Sequence, residues 1–87
     1  LERADLERAY LGRADLGCAN LGGAKLEGAD LEWADLRGAN LYQANLEGAN
    51  VYSANFDGAN LYEANFTGVD LFGLDLSKAL NADTIIT

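Results

Sequence analysis

A large apolar residue returns at every fifth position of this chain, from Leu1, Leu6 and Leu11 through Leu46, Val51, Phe56, Leu61, Phe66, Leu71 and Leu76. Alanine precedes it by two, from Ala4 to Ala64, with Val69 and Leu74 as the only departures before Ala79. The residue between them is mostly Asp or Asn, and the two that follow are mostly polar or glycine. A period of five matches neither the 3.6 of a helix nor the 2 of a strand. It predicts a stack of short identical units, each of which buries its apolar side chains only against its neighbours.

Units such as Ala39-Asn40-Leu41-Tyr42-Gln43 and Ala44-Asn45-Leu46-Glu47-Gly48 carry the A(D/N)LXX signature, and in this the chain resembles the pentapeptide-repeat family over about sixteen quintets, residues 1–80. The resemblance implies an all-β fold: a right-handed quadrilateral parallel β-helix, or β-solenoid, with about four coils of four pentapeptides. Residues twenty apart then stack. The tail 81–87 breaks the period where a C-terminal cap is expected, and solenoids need such caps at their exposed edges. Coils at the ~4.8 Å strand spacing make a rod about 19 Å long.

The glycines support a square coil independently. All ten follow the large apolar residue by one or two places, where a corner is required, and glycine tolerates the positive φ of a tight turn. Gly28, Gly48 and Gly68 then form one corner column and Gly38 and Gly58 the opposite one, with type II turns. The corners carrying Trp33, Gln43, Ser53 and Glu63 are expected to use a turn without positive φ. Inside, alternating Ala and Leu or Phe fill a narrow interior, so Phe56 and Phe66 read as core. The middle Asx residues bond local backbone or ladder between coils, with Asn40 stacked on Asn60 and Asn45 on Asn65.

Composition narrows the function. There is no Met, and a chain beginning Leu1-Glu2-Arg3 is expected to be a piece of a longer protein. No apolar run approaches the ~20 residues of a spanning helix, so a membrane would be reached only through flanking segments. One cysteine, Cys18, and no histidine leave no intramolecular disulfide and no thiolate or imidazole zinc site. Without histidine, or a nucleophile beside an orienting base, catalysis has no foothold, and neither a catalytic residue, a cofactor nor a metal is expected.

The net charge is -8, which argues against direct nucleic-acid binding, since phosphate is repelled. Some relatives in the family inhibit DNA gyrase by resembling duplex DNA, which makes DNA mimicry one alternative. Duplex DNA would carry about eleven charges over ~19 Å. Here Arg3, Arg8 and Arg13 nearly balance Glu2, Asp5, Glu7 and Asp15, so no unbroken acidic face is expected. A sharper acidic feature is the column Glu7, Glu27 and Glu47, either a cation or basic-partner site or a set of splayed, screened carboxylates.

Outward aromatics form a second candidate surface. Tyr42 is expected to stack on Tyr62 on one side, and Tyr52 on Phe72 on the opposite side with Trp33 nearby. Such columns serve as partner-binding hot spots or as stabilising cross-strand ladders. The expected function is therefore a non-catalytic structural or protein-interaction module, with a protein partner or end-to-end self-association. Such a module would belong to a larger bacterial protein, since the family is abundant in cyanobacteria. A further alternative implied by the resemblance is the soluble part of a membrane-anchored protein needed for heterocyst glycolipid envelope deposition.

Overall fold

The computed structural model describes every residue from Leu1 to Thr87. Its logic is complete within one quintet, because each of the five backbone N–H groups has a separate partner. In 39–43, Ala39 N–H donates to Leu36 O across a corner (3.0 Å) and Asn40 N–H to Ala19 O one coil before (2.9 Å). Leu41 N–H and Gln43 N–H donate to Asn60 O and Tyr62 O one coil after (2.8 Å each). The fifth donor, Tyr42 N–H, goes to the Asn40 side chain at 3.1 Å. Buried or half-buried backbone donors must be satisfied, and here the Asx side chain supplies the acceptor that the ladder lacks.

That pattern recurs along the chain. At every Asp or Asn of the repeat from Asp5 to Asp75, Oδ1 accepts from the N–H two residues on at 2.9 to 3.2 Å. Parallel bridges join residues twenty apart, including Asn20 to Asn40 to Asn60 and Asp30 to Asn50. One circuit therefore takes twenty residues and four corners, with the fold of a β-helix solenoid. Each side contributes a single bridging residue, too little for an extended strand, and the molecule measures 26 × 23 × 23 Å, nearly as broad as it is long.

The corners correct the glycine expectation. Trp33, Gln43, Ser53 and Glu63 have φ of 60°, 55°, 55° and 53°, and Arg3, Arg8, Arg13 and Cys18 are similar. Glycine corners such as Gly48 stand at 67°. Positive φ at the second central residue alone, with the Leu carbonyl bonded to the following Ala N–H, is the type II pattern. The turn occurs on all four sides of the circuit, and Ser53 keeps it although its N–H reaches no carbonyl in the next coil; Lys78, in the last quintet, is the exception. The bond from the following alanine N–H across the turn, present at Trp33, Gln43, Ser53 and Glu63 alike, holds non-glycine residues in a conformation that costs each of them roughly 1 kcal/mol or more.

The interior runs from Leu21 to Phe66 as one apolar column of inward Ala, Leu, Val and Phe with no buried polar residue. Phe56 and Phe66 meet edge to face at 6.0 Å and are fully enclosed. Leu6, Leu11 and Leu16 at one end, and Leu71, Leu74 and Leu76 at the other, are only partly buried.

The regular ladder fails in one place. Leu31 and Trp33 N–H donate to Asn50 and Tyr52 O (2.7 and 2.8 Å), yet their counterparts one coil on, Val51 and Ser53 N–H, have no backbone acceptor. Phe56, Asp70 and Asp75 N–H are likewise unpaired between coils, although the corner bonds of Val69, Leu74 and Ala79 persist. The cause lies in the two departures from alanine. Val69 and Leu74 take up the small inward position above Ala49 and Ala54, and side chains that exceed the space push the coil away from its neighbour.

Beyond the breach the tail rejoins the ladder. Leu80 bridges Asn60, and Ile86 bridges Asn65 with one extra residue, which the short 3-10 turn Ala82–Thr84 absorbs. Thr84 Oγ1 accepts from Glu63 N–H at 2.8 Å, standing in for a backbone carbonyl. The Asx ladder is also partial: amides link Asn20, Asn40, Asn60 and Asn81, but Asn45 does not bond Asn65. The Asn45 amide turns instead to Glu27 Oε1 at 2.9 Å.

Two measurements check this account. Ala44→Leu overfills a fully buried site and is expected to cost roughly 1 to 3 kcal/mol in urea denaturation, more than Leu46→Val at roughly 1 kcal/mol. Asp35 holds a paired Arg37 at 2.7 Å, and the hydrogen bonds from Arg37 draw its carboxyl from 3.8 down to about 2. The unfolded chain therefore binds the extra proton first, so this contribution is present above about pH 4 and is lost as pH falls towards 2. Stability is expected to depend less steeply on pH across that window in Asp35→Asn than in the parent.

Candidate protein-contact face

Residues 10–13, 30–33, 50–53 and 70–73 share one side of the solenoid through the twenty-residue register. This side carries Tyr10, Trp33, Tyr52 and Phe72, which are 85%, 50%, 62% and 94% exposed. Because the ladder and the Asx side chains consume the backbone donors, the two positions after each Leu face outward with no structural duty of their own. Large rings placed there remain available to other molecules.

The face is only partly the one expected. Trp33 meets Tyr52 edge-on at 6.2 Å, and Arg13 lies over the Trp33 ring at 5.6 Å. Tyr52 and Phe72 do not stack: the coil bearing Phe72 has swung away at the breach, leaving that ring without an aromatic neighbour. Tyr10 and Arg13 are members that the aromatic spacing did not indicate. The signal for Tyr10 was its place in the repeat, where it replaces Asx, with Gly12 two residues on. A Cβ at Gly12 would stand 3.0 Å from the Tyr10 ring, so glycine makes room for it. Tyr10, Gly12, Arg13, Asp30, Glu32 and Trp33 enclose a hollow of about 100 Å³.

The opposite side behaves as a ladder. Tyr42 and Tyr62 stack at 5.2 Å with an interplanar angle of 14°, and Gln43 Nε2 donates to Glu63 Oε1 at 2.9 Å. Much of their surface is thus spent on each other.

The acidic column does not converge on a common point. Glu7 and Glu47 are exposed, whereas Glu27 is half-buried. Glu27 Oε1 accepts from the Asn45 amide, and its Oε2 is enclosed without a hydrogen-bond partner. Cys18 is free and exposed at a corner.

Trp33 is the single tryptophan, so its fluorescence reports on this face. Arg13→Ala is expected to shift the Trp33 emission while costing no more than about 1 kcal/mol of stability, as exposed cation–π pairs do. Unchanged emission would show that Arg13 does not rest on the ring in solution.

Comparison with known proteins places this geometry. The family model described as "Pentapeptide repeats" matches residues 14–51 and 52–79 in eight copies. Among solved structures, the chain is similar to HetL, a pentapeptide-repeat protein involved in heterocyst differentiation regulation in the cyanobacterium Nostoc sp. strain PCC 7120. The identity is 34% and the TM-score 0.64, covering 95% of this chain and 46% of HetL. Rfr23 from the cyanobacterium Cyanothece 51142 is 38% identical with a TM-score of 0.51, covering 97% of this chain and 60% of that one. A pentapeptide-repeat protein of the Arabidopsis thaliana thylakoid lumen is 32% identical with a TM-score of 0.55, covering 76% and 42%. The chain spans about half the length of these relatives. No curated protein matches it. Match and geometry agree that the chain belongs to the pentapeptide-repeat family.

Proposed function

We propose that this chain is a non-catalytic protein-interaction module whose working surface is the face bearing Tyr10, Trp33, Tyr52 and Phe72, within a larger cyanobacterial protein. In this reading the solenoid is right-handed and quadrilateral, with about four coils, and serves as a rigid support. The observation that carries the proposal is that four of the five exposed rings lie on this side, with only Tyr42 exposed on the opposite one. Aromatic side chains bury large area at little entropic cost and dominate interface hot spots, and a face that self-stacks as Tyr42 and Tyr62 do would not leave Phe72 94% exposed. The cyanobacterial origin of HetL and Rfr23 supports the setting, and the involvement of HetL in differentiation regulation favours a regulatory partner over a passive spacer.

An acidic surface resembling DNA has less behind it. Arg3, Arg8 and Arg13 occupy successive corners, and Arg37 neutralises Asp35, so the acids form no continuous face.

The test is affinity capture with the parent protein and with the Tyr52→Ser, Phe72→Ser double variant. Because Phe72 contacts no other ring and Tyr52 meets only the Trp33 edge, the variant is expected to melt within about 5 °C of the parent while losing the captured partner. Retention of every partner by the folded variant would rule this face out.

A further inference from the structure

The breach opens onto the same face, and its chemistry is more specific than that of the rings beside it. Between the coils lies a cavity of about 160 Å³ whose lining includes Val51, Tyr52, Phe72 and Leu74. Val51 and Leu74 belong to the inward set, so the cavity reaches the apolar column, and Tyr52 and Phe72 stand at its mouth. A volume of roughly 150 Å³ is large enough to take a benzene ring, and Asn50, Ser53 and Asp70 form the polar part of the wall.

The walls also carry unmet hydrogen-bonding groups. Val51 and Ser53 N–H have no acceptor on one wall, and the Asp70 and Phe72 carbonyls, which the register would pair with them, accept no backbone N–H on the other. A helix has already used its backbone groups internally, whereas an extended segment offers free carbonyls and N–H groups to such an edge. Charge selects further. Asp70 lines the cavity and Asp30 and Glu32 lie on the same side, while the base nearest them, Arg13, rests on Trp33.

We infer that the breach is a socket for one ring-sized apolar side chain at the centre of an extended, basic segment of a protein partner. The inference rests on the reading of this face as a protein-contact surface. The side chain fills the void left where Val69 and Leu74 force the coils apart, and the flanking backbone takes the hydrogen bonds that the coils no longer make with each other. The two residues that spoil the repeat are thereby the ones that create the site.

The experiment uses the full chain and a fluorescein-labelled, end-capped peptide Lys-Thr-Phe-Thr-Lys, followed by anisotropy, with Lys-Thr-Ala-Thr-Lys as its control. The protein variants are Val69→Ala with Leu74→Ala, which restores the repeat and closes the breach, and Tyr62→Ser, which alters the opposite side. Amide exchange at Val51 and Ser53 is expected to slow in the closed variant, which establishes closure, and in the parent when the Phe peptide is added. Removing the peptide ring or closing the breach is expected to weaken binding at least about tenfold, whereas Tyr62→Ser leaves it within about twofold. Failure of the Phe peptide to bind the parent, or undiminished binding to the closed variant, overturns the socket even if partner capture by the aromatic face succeeds. A dimer of the parent that dissociates in the closed variant would assign the cavity to a second copy and overturn the basic-peptide reading.

Discussion

Every feature of this molecule depends on a parallel backbone hydrogen bond between residues about twenty apart. It repeats regularly where each circuit closes in twenty residues and lies flat on the next, and that requires a narrow interior with a small side chain once in every five. Alanine meets the requirement from Ala4 to Ala64. Where valine and leucine replace it at 69 and 74, the local turns survive but the bonds between coils are lost. Local and long-range order are therefore separable here: the corner and its Asx bond belong to the quintet, and the ladder belongs to the fit of the interior.

The same arrangement explains why the surface is available for recognition. Ladder, corner and Asx side chain together consume all five N–H groups of a regular quintet, so the outward positions carry no backbone duty. Charges there remain solvated, as with Glu7 and Glu47, or pair locally, as Asp35 does with Arg37. Rings either cover each other, as Tyr42 and Tyr62 do, or stay exposed, as on the side from Tyr10 to Phe72. The exposed rings and the breach share one side. Displacement of the coil bearing Phe72 both strips that ring of its stacking partner and opens the cavity behind it.

The period of five, the inward column and the pairing of residues twenty apart were legible in the sequence, the last through the family resemblance and the columns of glycine. The corner conformation was only half legible. Glycine marks where positive φ is easy, but Trp33, Gln43, Ser53 and Glu63 adopt it too, each in the same turn closed by the following alanine N–H. Side-chain composition does not report a conformation that the turn imposes on whatever residue stands there. The Asn ladder is partial on the next side because Lys25 stands where the Asn45 amide would find its acceptor one coil before, and the amide turns to Glu27 instead.

The candidate face divides along the same line. Trp33, Tyr52 and Phe72 were visible in the sequence as outward rings on one side, whereas Tyr10, which stands in place of Asx, was not singled out, and which rings touch was decided by the stack. By itself the sequence determined the repeat and the identity of the inward side chains, because those follow from a strict period, and through the family resemblance it also gave the sides on which Trp33, Tyr42, Tyr52, Tyr62 and Phe72 lie. Only the tertiary structure decided that Tyr52 and Phe72 part and that Val51 and Ser53 lose their acceptors. Those outcomes depend on whether Val69 and Leu74 fit above Ala49 and Ala54, a matter of volume between coils that no single coil contains.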